Sequence, residues 1–223
     1  ANLCTGGAND SCDSSGYNND GAWSGTNIAS STVVPTLSFS DPRSVVFNGS
    51  DDYVNVGHLS TLEGGDYSFS LWAKFDSVAI NYWLVDQWET DVNPNGNGPA
   101  FFILGGGGGG DLVFEIGLFA DRLVATGAVT AGKWYHLVAT ANGTTLTIYK
   151  DGAQIAQGTR TRTEGNTTQQ FRISNTTHQG VTSFLGTIDD VRVYNRSLTA
   201  AEVAALAAGT HPAGAASGSK VTL

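Results

Sequence analysis

Oxygen-bearing side chains are concentrated near the start of the chain, where they could bind a cation. The segment of residues 13–20 holds Asp13, Asn18, Asn19 and Asp20, and Gly16 frees a backbone carbonyl beside them. Carboxylates, amides and backbone carbonyls are the oxygen ligands that Ca²⁺ takes, about six to eight at a time. EF-hand spacing is absent, so calcium is suggested by composition and not by a motif.

Asp189 poses a second chemical question. It lies in residues 187–194, where β-branched and aromatic residues alternate with polar ones. A period of two predicts a strand with one buried face, and it places Asp189 on the same face as Val191 and Val193. An unpaired buried carboxylate is costly, so Asp189 needs a partner. A metal ion and the N–H groups of the adjoining backbone are the two alternatives.

Polar side chains and aromatic rings occur together between positions 82 and 93. Aromatic faces stack on the C–H surfaces of sugars, while amides and carboxylates fix the sugar hydroxyls. One of Tyr82 and Trp83 is expected to fill the core, and Trp88 is expected to be exposed. We predict carbohydrate contacts from Tyr82, Asp86, Trp88, Glu89 and Asn93.

Cys4 and Cys12 are the only cysteines, in a segment rich in Gly, Asn, Asp and Ser. Nothing nearby suggests a metal or redox site, so we predict a disulfide, which would stabilise the fold by about 2.5 kcal/mol. Two free thiols in a cytosolic protein are the alternative. A disulfide, together with the absence of methionine even at position 1, predicts a processed protein that is secreted or displayed on the cell surface.

Alternating apolar and polar residues predict the strands that position these side chains. Asn142-Gly143 marks the clearest hairpin turn. The predicted strands cover residues 45–47, 53–56, 67–75, 82–86, 100–104, 112–116, 134–141, 146–150, 171–174 and 184–194.

A short helix is predicted after the last strand. Thr199 and Glu202 have the spacing of a capping box, Leu198 and Val203 can form the hydrophobic staple, and Gly209 ends the helix. Many short strands without alternating helices predict an all-β fold, an antiparallel β-sandwich with one short C-terminal helix.

The chain divides into three predicted segments. Residues 1–25 are a loop-rich N-terminal segment, closed by the disulfide and joining the sandwich. Residues 26–206 are the sandwich domain, and residues 207–223 are an Ala/Gly/Ser-rich tail. The tail cannot bury much apolar surface, so it is expected to be flexible or ordered only by contact with another copy. Residues 220–223 nevertheless alternate like a strand that an open sheet edge would accept.

Four pieces of the sequence, in order, resemble laminin-G-like (LamG) domains of the concanavalin A-like lectin/glucanase superfamily. They are VVFNGSDDYVNV, YSFSLWAKF, GKWYHLVATANGTTLTIYKDG and GTIDDVRVYNRSLTAAEVAAL. Residues 13–25 (DSSGYNNDGAWSG) also resemble the segment with which these domains open. The resemblance therefore covers nearly the whole chain. It implies the connectivity of a jelly roll. Because this fold serves lectins, adhesins, hydrolases and spacers, function has to be argued from the site.

The resemblance also implies a structural calcium ion, which is common in these domains where the opening and closing segments meet. The matching positions are Asp13, the Gly16 carbonyl, Asn19 and Asp189. His136 matches a packing and hydrogen-bonding histidine of the family.

Glucanases of the superfamily carry E-x-D-x-E along one strand, which puts the catalytic carboxylates on one face. The nearest match is Glu89-x-Asp91, in which Asn93 replaces the third carboxylate and a Pro/Gly-rich segment follows. No catalytic residue is therefore predicted, and the chain is not expected to be an enzyme.

The charge of the chain restricts its partners. Lys and Arg number 11 against 20 Asp and Glu, for a net charge of −9 with no basic cluster. This argues against nucleic acid, and no apolar run is long enough for membrane insertion. Asn142 fits the glycosylation sequon, but its tight hairpin leaves little room. The other possible glycosylation sites are Asn9, Asn48, Asn166, Asn175 and Asn195.

The function expected from the sequence is a non-catalytic extracellular glycan-binding or adhesive module, whose partner is a glycan or another surface protein. One alternative is a structural subunit or decoration protein of a surface filament, sheath or particle that self-associates through its termini. A degenerate glycoside hydrolase is the other alternative.

Overall fold

The computed structural model describes residues 10–38, 42–88, 98–106, 109–117, 121–161, 168–176, 183–210 and 218–222. Sixteen strands and one α-helix are present among them. The strands are β1 (Asp10–Asp13), β2 (Gly21–Ser24), β3 (Ala29–Ser31), β4 (Ser44–Asn48), β5 (Tyr53–Gly57), β6 (Tyr67–Phe75), β7 (Tyr82–Asp86), β8 (Pro99–Leu104), β9 (Gly110–Ile116), β10 (Asp121–Val129), β11 (Trp134–Asn142), β12 (Thr145–Lys150), β13 (Ala153–Thr159), β14 (Phe171–Ile173), β15 (Leu185–Tyr194) and β16 (Gly218–Thr222). The helix is α1 (Ala200–Ala207).

The strands form two antiparallel sheets that pack face to face, as the predicted sandwich requires. Sheet A has the spatial order β10-β9-β8-β7-β14-β5-β2-β1. Sheet B has the order β16-β15-β6-β11-β12-β13, with β4 beside β15 and β3 beside β4. Because β1 pairs with both β2 and β16, it joins the two sheets along one side.

The core between the sheets is rich in aromatic rings. The predicted buried face of β6 is confirmed, since Tyr67, Phe69 and Phe75 from that strand are all fully buried. Phe69 and Phe114 meet edge to face, with ring centroids 6.2 Å apart at 81°, an arrangement that the ring quadrupoles favour.

Every predicted strand is present, but the structure contains strands that the sequence patterns did not indicate. Residues 1–25 were expected to be loop, yet β1 and β2 in this segment pair with each other and with the sheets. The nine-residue strand β10 was not predicted, because its small Ala and Gly residues interrupt the alternation and it contains no aromatic residue. Both differences have one cause: pairing with a neighbouring strand overrides weak local propensity.

The predicted helix and its cap are confirmed. The Thr199 side chain accepts a hydrogen bond from the backbone N–H of Glu202, and the Glu202 side chain accepts one from the backbone N–H of Thr199. Leu198 and Val203 are both buried in one cluster on the outer face of sheet B. This cluster fixes α1 to the sheet.

The closing strand β15 contains a bulge that changes the predicted faces. Asp189 pairs with Trp72 and Arg192 pairs with Ser70, so β15 has one more residue than β6 across this interval. Asp190 has a φ of +45°, the left-handed conformation that one residue of such a bulge adopts.

The bulge corrects the prediction for Asp189. Ile188, Val191 and Val193 all belong to the core, whereas Asp189 and Arg192 lie on the outer face of sheet B. The prediction that Asp189 shares a face with the two valines was therefore wrong, because the extra residue shifts the alternation by one position.

A buried ion pair follows from this bulge. Arg192 Nη2 lies 2.8 Å from Asp190 Oδ2, and both side chains are 4% exposed. Arg192 Nε donates to both oxygens of Asp190 at 3.0 Å. Burial removes both groups from water, and the bidentate geometry compensates for that loss.

His136 packs beside this ion pair as the expected structural histidine. Its Nε2 lies 2.9 Å from Ser70 Oγ, and its ring centroid is 5.3 Å from that of Trp72. Burial, with the nearby charge of Arg192, lowers the pKa of His136 to about 3. The imidazole is therefore neutral at physiological pH.

The C-terminal tail differs from its prediction. Residues 218–222 form β16, which pairs with β15 at four positions and with β1 at two. The alternation at the end of the tail was expected to indicate a strand, and a strand is present. It pairs with strands of the same chain and not with another copy. Hydrogen bonding on both sides replaces the apolar burial that the tail lacks.

No helix among the described residues is long and apolar enough to span a membrane.

We predict that deletion of residues 211–223 destabilises the isolated chain. Removal of β16 leaves edges of β15 and β1 unpaired, at about 0.5–1.5 kcal/mol for each hydrogen bond lost. The expected decrease in Tm is roughly 5–10 °C. Lys220→Pro should reproduce most of this decrease, because proline is not tolerated in a central strand, and Lys220→Ala is the matched control. An unchanged Tm would contradict the placement of β16.

We also predict that Asp190→Asn is strongly destabilising. Asparagine tolerates the left-handed backbone but leaves the buried Arg192 charge without its counterion, at a cost of about 3–5 kcal/mol. Urea unfolding measures the change. Glu63→Gln, which breaks the more exposed contact with His58, serves as the control and should have little effect. If the two variants lose equal stability, the buried pair does not stabilise the bulge.

Candidate functional site

A row of mostly polar and charged residues crosses the outer face of sheet A. Residues directly opposite one another on neighbouring strands share a face. The row consists of Arg122, Glu115, Ala100, Asp86, Arg172 and Asn55, one from each of the strands β10, β9, β8, β7, β14 and β5. We call it the polar row.

Asp86 is the fully buried carboxylate of the polar row. Its Oδ1 accepts the backbone N–H of Trp88 at 2.8 Å, and its Oδ2 has no hydrogen-bond partner in the described part of the chain. Burial raises the pKa of Asp86 to about 7, against the opposing effects of the Trp88 N–H, the Thr176 hydroxyl and the Arg172 charge. Asp86 therefore changes between its neutral and charged forms near physiological pH.

Arg172 lies opposite Asp86 on the neighbouring strand. Its guanidinium carbon is 4.7 Å from the centroid of the Tyr53 ring, and its Nη1 donates to the Thr176 carbonyl at 3.4 Å. The buried Nε has no acceptor among the residues that the structure describes. An unpaired donor and an unpaired acceptor thus occur on adjacent residues, and buried polar atoms of this kind usually bind a water molecule or a ligand group.

The other end of the polar row lies beside a stack of flat groups. The rings of Trp83 and Phe102 are stacked at 4.8 Å with 8° between their planes, and the Arg122 guanidinium lies 5.7 Å from the Phe102 centroid. Arg122 Nε also lies 3.5 Å from Glu115 Oε2. Arg122 and Glu115 lie opposite each other on β10 and β9, so strand pairing brings the two charges together.

A second bulge brings Trp83 and Asp86 to the same face. Trp83 pairs with Phe102 and Asp86 pairs with Ala100, with a register shift between them. Leu84 and Val85 consequently both point into the core. Simple alternation would have placed Trp83 and Asp86 on opposite faces, which is why Trp83 was missed as a site residue.

The predicted carbohydrate-binding residues are not all on this face. Tyr82 fills the core, where its ring centroid lies 6.1 Å from that of Phe184. Trp88 is 7% exposed, so the expectation that it is exposed was wrong. Glu89 and Asn93 lie outside the described residues. Among the described members of the predicted set, Asp86 is the one that lies in the polar row.

The predicted calcium ligands are held differently from what the resemblance implies. Asp13 accepts the backbone N–H groups of Ser15 at 2.8 Å and Asn19 at 2.9 Å. Asp13 is also two strands from β15, since it pairs with Val221, which pairs with Val191.

Asp189 Oδ1 accepts the backbone N–H of Asp190 at 2.8 Å, as the alternative without metal anticipated. No group of three His, Cys, Asp or Glu residues in the described part of the chain could hold a metal ion. Calcium, with the Gly16 carbonyl and Asn19 among its expected ligands, stays a prediction.

The disulfide and the sequons also stay predictions. Among the described residues no cysteine has a free thiol, but Cys4 lies outside them, as do Asn9 and Asn166. Asn195 and Asn142 are exposed, and Asn175 is half-buried. The Asn48 side chain accepts the N–H of Ser50 at 2.8 Å and donates to Asp51 at 2.7 Å, so a glycan there would have to replace the second bond.

Several solved structures are similar to this chain. Domain 4 of AbnA, a GH43 extracellular arabinanase from Geobacillus stearothermophilus in complex with arabinotriose, matches with a TM-score of 0.64 and 19% identity over 84% of this chain and 87% of that one. The CBM40 of Ruminococcus gnavus IT-sialidase bound to α2,3-sialyllactose matches with a TM-score of 0.60 and 15% identity over 74% and 96%. Domains LG4-5 of the mouse laminin α1 chain match with a TM-score of 0.52 and 18% identity over 70% and 44%.

At these identities the similarity concerns the fold alone, and no curated protein matches the sequence. The laminin G family model, described as "Concanavalin A-like lectin/glucanases superfamily", matches residues 48–204. That range holds most of the four pieces from which the resemblance was inferred and all six strands that carry the polar row. The chain therefore belongs to the laminin-G-like family of the concanavalin A-like lectin/glucanase superfamily.

Proposed function

We propose that this chain is a non-catalytic, extracellular glycan-binding module whose ligand lies against the outer face of sheet A. The observation that carries the proposal is the pairing of an unsatisfied donor, Arg172 Nε, with an unsatisfied acceptor, Asp86 Oδ2, within the described part of the chain. A sugar hydroxyl both accepts and donates hydrogen bonds, so the hydroxyl groups of a sugar match both kinds of atom.

The surroundings of this pair suit a sugar. The Arg172 guanidinium covers one face of the Tyr53 ring, and the half-buried Tyr53 side chain adds apolar surface beside the pair. Asn55 and Gln170, which hydrogen-bond to each other, add amide groups along the same face. Aromatic faces with a few fixed polar groups are typical of small-ligand sites.

The similar structures support this proposal indirectly. Two of them are, by their names, sugar complexes, one with arabinotriose and one with α2,3-sialyllactose. Those ligands belong to those proteins, and neither is assigned to this chain. They make arabinotriose and α2,3-sialyllactose rational first probes.

The carboxylates of the polar row favour binding over hydrolysis. Asp86 and Glu115 lie on either side of Ala100, so their backbones are about 9–10 Å apart. A retaining glycosidase needs its two carboxyl groups about 5 Å apart and an inverting one about 6.5–9.5 Å, so this spacing disfavours the retaining geometry. Glu115 is also engaged by Arg122, a contact that competes with a role as general acid or base. We therefore propose recognition without bond cleavage.

Asp86→Asn should separate stability from function. Since the folded-state pKa is raised to about 7 from 3.8, wild-type stability falls as pH rises between these two values, by up to about 1.4 kcal/mol per pH unit. The asparagine amide oxygen still accepts the Trp88 N–H, and the amide cannot ionise. The variant should thus gain stability relative to wild type between pH 4 and pH 8 while losing glycan affinity.

Urea unfolding at pH 4 and pH 8 measures the change in stability, and glycan titration measures the change in affinity. Asp111→Asn is the control, because that carboxylate also accepts a backbone N–H but is not buried. A variant that keeps full affinity would remove Asp86 from the site. A relative stability that does not change with pH would contradict the burial argument.

Arg172→Ala should weaken or abolish glycan binding. The variant removes both the unpaired Nε and the cation above Tyr53, and a hydrogen bond to a charged group contributes about 1.5–3 kcal/mol, or roughly 10- to 100-fold in Kd. A glycan array that includes arabinotriose and α2,3-sialyllactose, followed by calorimetry on the best ligand, provides the measurement. Arg43→Ala, at an exposed arginine on the other sheet, is the matched control. Equal binding by both variants, or no bound glycan at all, would contradict the proposed function.

A further inference from the structure

A groove on the opposite side of the sandwich also has the features of a ligand site. It lies on the outer face of sheet B at the start of α1 and has a volume of about 330 Å³, near the lower end of the range for ligand sites. We call it the threonine groove. Its lining includes Thr140, Thr147, Tyr149, Gln157, Thr199 and Ala200.

Two buried residues of the threonine groove carry hydroxyl groups without a partner among the described residues. Thr140 is 2% exposed and Tyr149 is 7% exposed, and both side chains line the groove. Thr147, directly opposite Thr140, accepts a bond of 3.5 Å from the Gln157 amide. Neither oxygen is among the buried atoms that lack a partner, so both hydroxyls open onto the groove and are free to bond a ligand there.

The absence of charged residues from the lining of the threonine groove favours an uncharged ligand. None of its ten lining residues is charged, although the whole chain carries −9. The available groups are hydroxyls, side-chain amides and the backbone N–H of Ala200, which as the first residue of α1 has no intrahelical acceptor. Neutral donors and acceptors of both kinds match an uncharged ligand with several hydroxyl groups.

The walls of the threonine groove are fixed by the fold. The Ser68 hydroxyl donates to the Arg196 carbonyl and accepts the Leu198 N–H, both at 2.9 Å. These bonds hold the segment before α1 against β6. On the other side, the Tyr149 ring packs in one cluster with Val203 of α1. Site residues carried by strands and locked by packing keep their geometry without a ligand.

We propose that the threonine groove is a second binding site, for an uncharged polyhydroxylated ligand of one or two sugar residues. It shares no residue with the polar row and lies on the other sheet. Its existence therefore does not depend on the function proposed for sheet A, and the two sites can be tested separately.

The test is a titration of the full chain with neutral oligosaccharides, namely arabinotriose, xylotriose, cellotriose and galactotriose, followed by amide NMR shifts and calorimetry. The expected result is that at least one of them shifts the amide signals of Thr199 and Ala200. Thr140→Val keeps the side-chain volume and removes only the hydroxyl, so it should fold normally and bind about tenfold more weakly, as expected for one lost hydrogen bond. Tyr149→Phe should act in the same way.

Thr187→Val is the matched control, because Thr187 is also a buried threonine of sheet B, at 7% exposure, but does not line the groove. It should leave binding at the groove, followed through the amide signals of Thr199 and Ala200, unchanged. The inference is overturned if no neutral oligosaccharide shifts the groove signals, or if Thr140→Val and Tyr149→Phe both bind as tightly as wild type. Binding that is lost only with Arg172→Ala would assign the ligand to the polar row and also overturn it.

Discussion

The bulge at Asp190 is the constraint on which sheet B depends. Strand β15 pairs with β6 along one edge and with β4 and β16 along the other, so any change in its register would alter four strands. The inserted residue keeps Ile188 and Val191 in the core while it directs Asp189 and Arg192 outward. A non-glycine residue in the left-handed region costs about 1–2 kcal/mol, and the bidentate contact between Asp190 and Arg192 holds it there.

Local signals predicted most of the fold. The strands of alternating residues, the hairpin at Asn142-Gly143 and the capped helix all depend on interactions within a few residues, and the sequence displays those directly. The strands β1, β10 and β16 depend instead on pairing with distant partners. No local pattern revealed β1 or β10, and the alternation of residues 220–223 indicated a strand without identifying its partners.

The candidate site was less predictable than the fold, for a reason that concerns both bulges. Alternation assigns each side chain to a face by counting from its neighbours, and one inserted residue reverses every later assignment. Asp190 and the Leu84–Val85 step consist of ordinary residue types and lack the glycine that often marks a bulge. The sequence therefore identified Asp86 as polar and aromatic-flanked, but it could not place Trp83 beside it or move Asp189 off the valine face.

The same property explains how this fold can vary its sites while the sandwich persists. The chain keeps the architecture of domains to which it is only 15–19% identical, since that architecture requires buried alternation and antiparallel pairing but few particular residues. In β7, a single extra residue places Leu84 and Val85 in the core and brings Trp83 and Asp86 to the same outer surface. A one-residue change in register can thus exchange the side chains that face a ligand without altering the number or order of strands. For this reason the polar row and the threonine groove have to be identified from strand register, and family membership alone does not indicate which residues a given member presents on its outer faces.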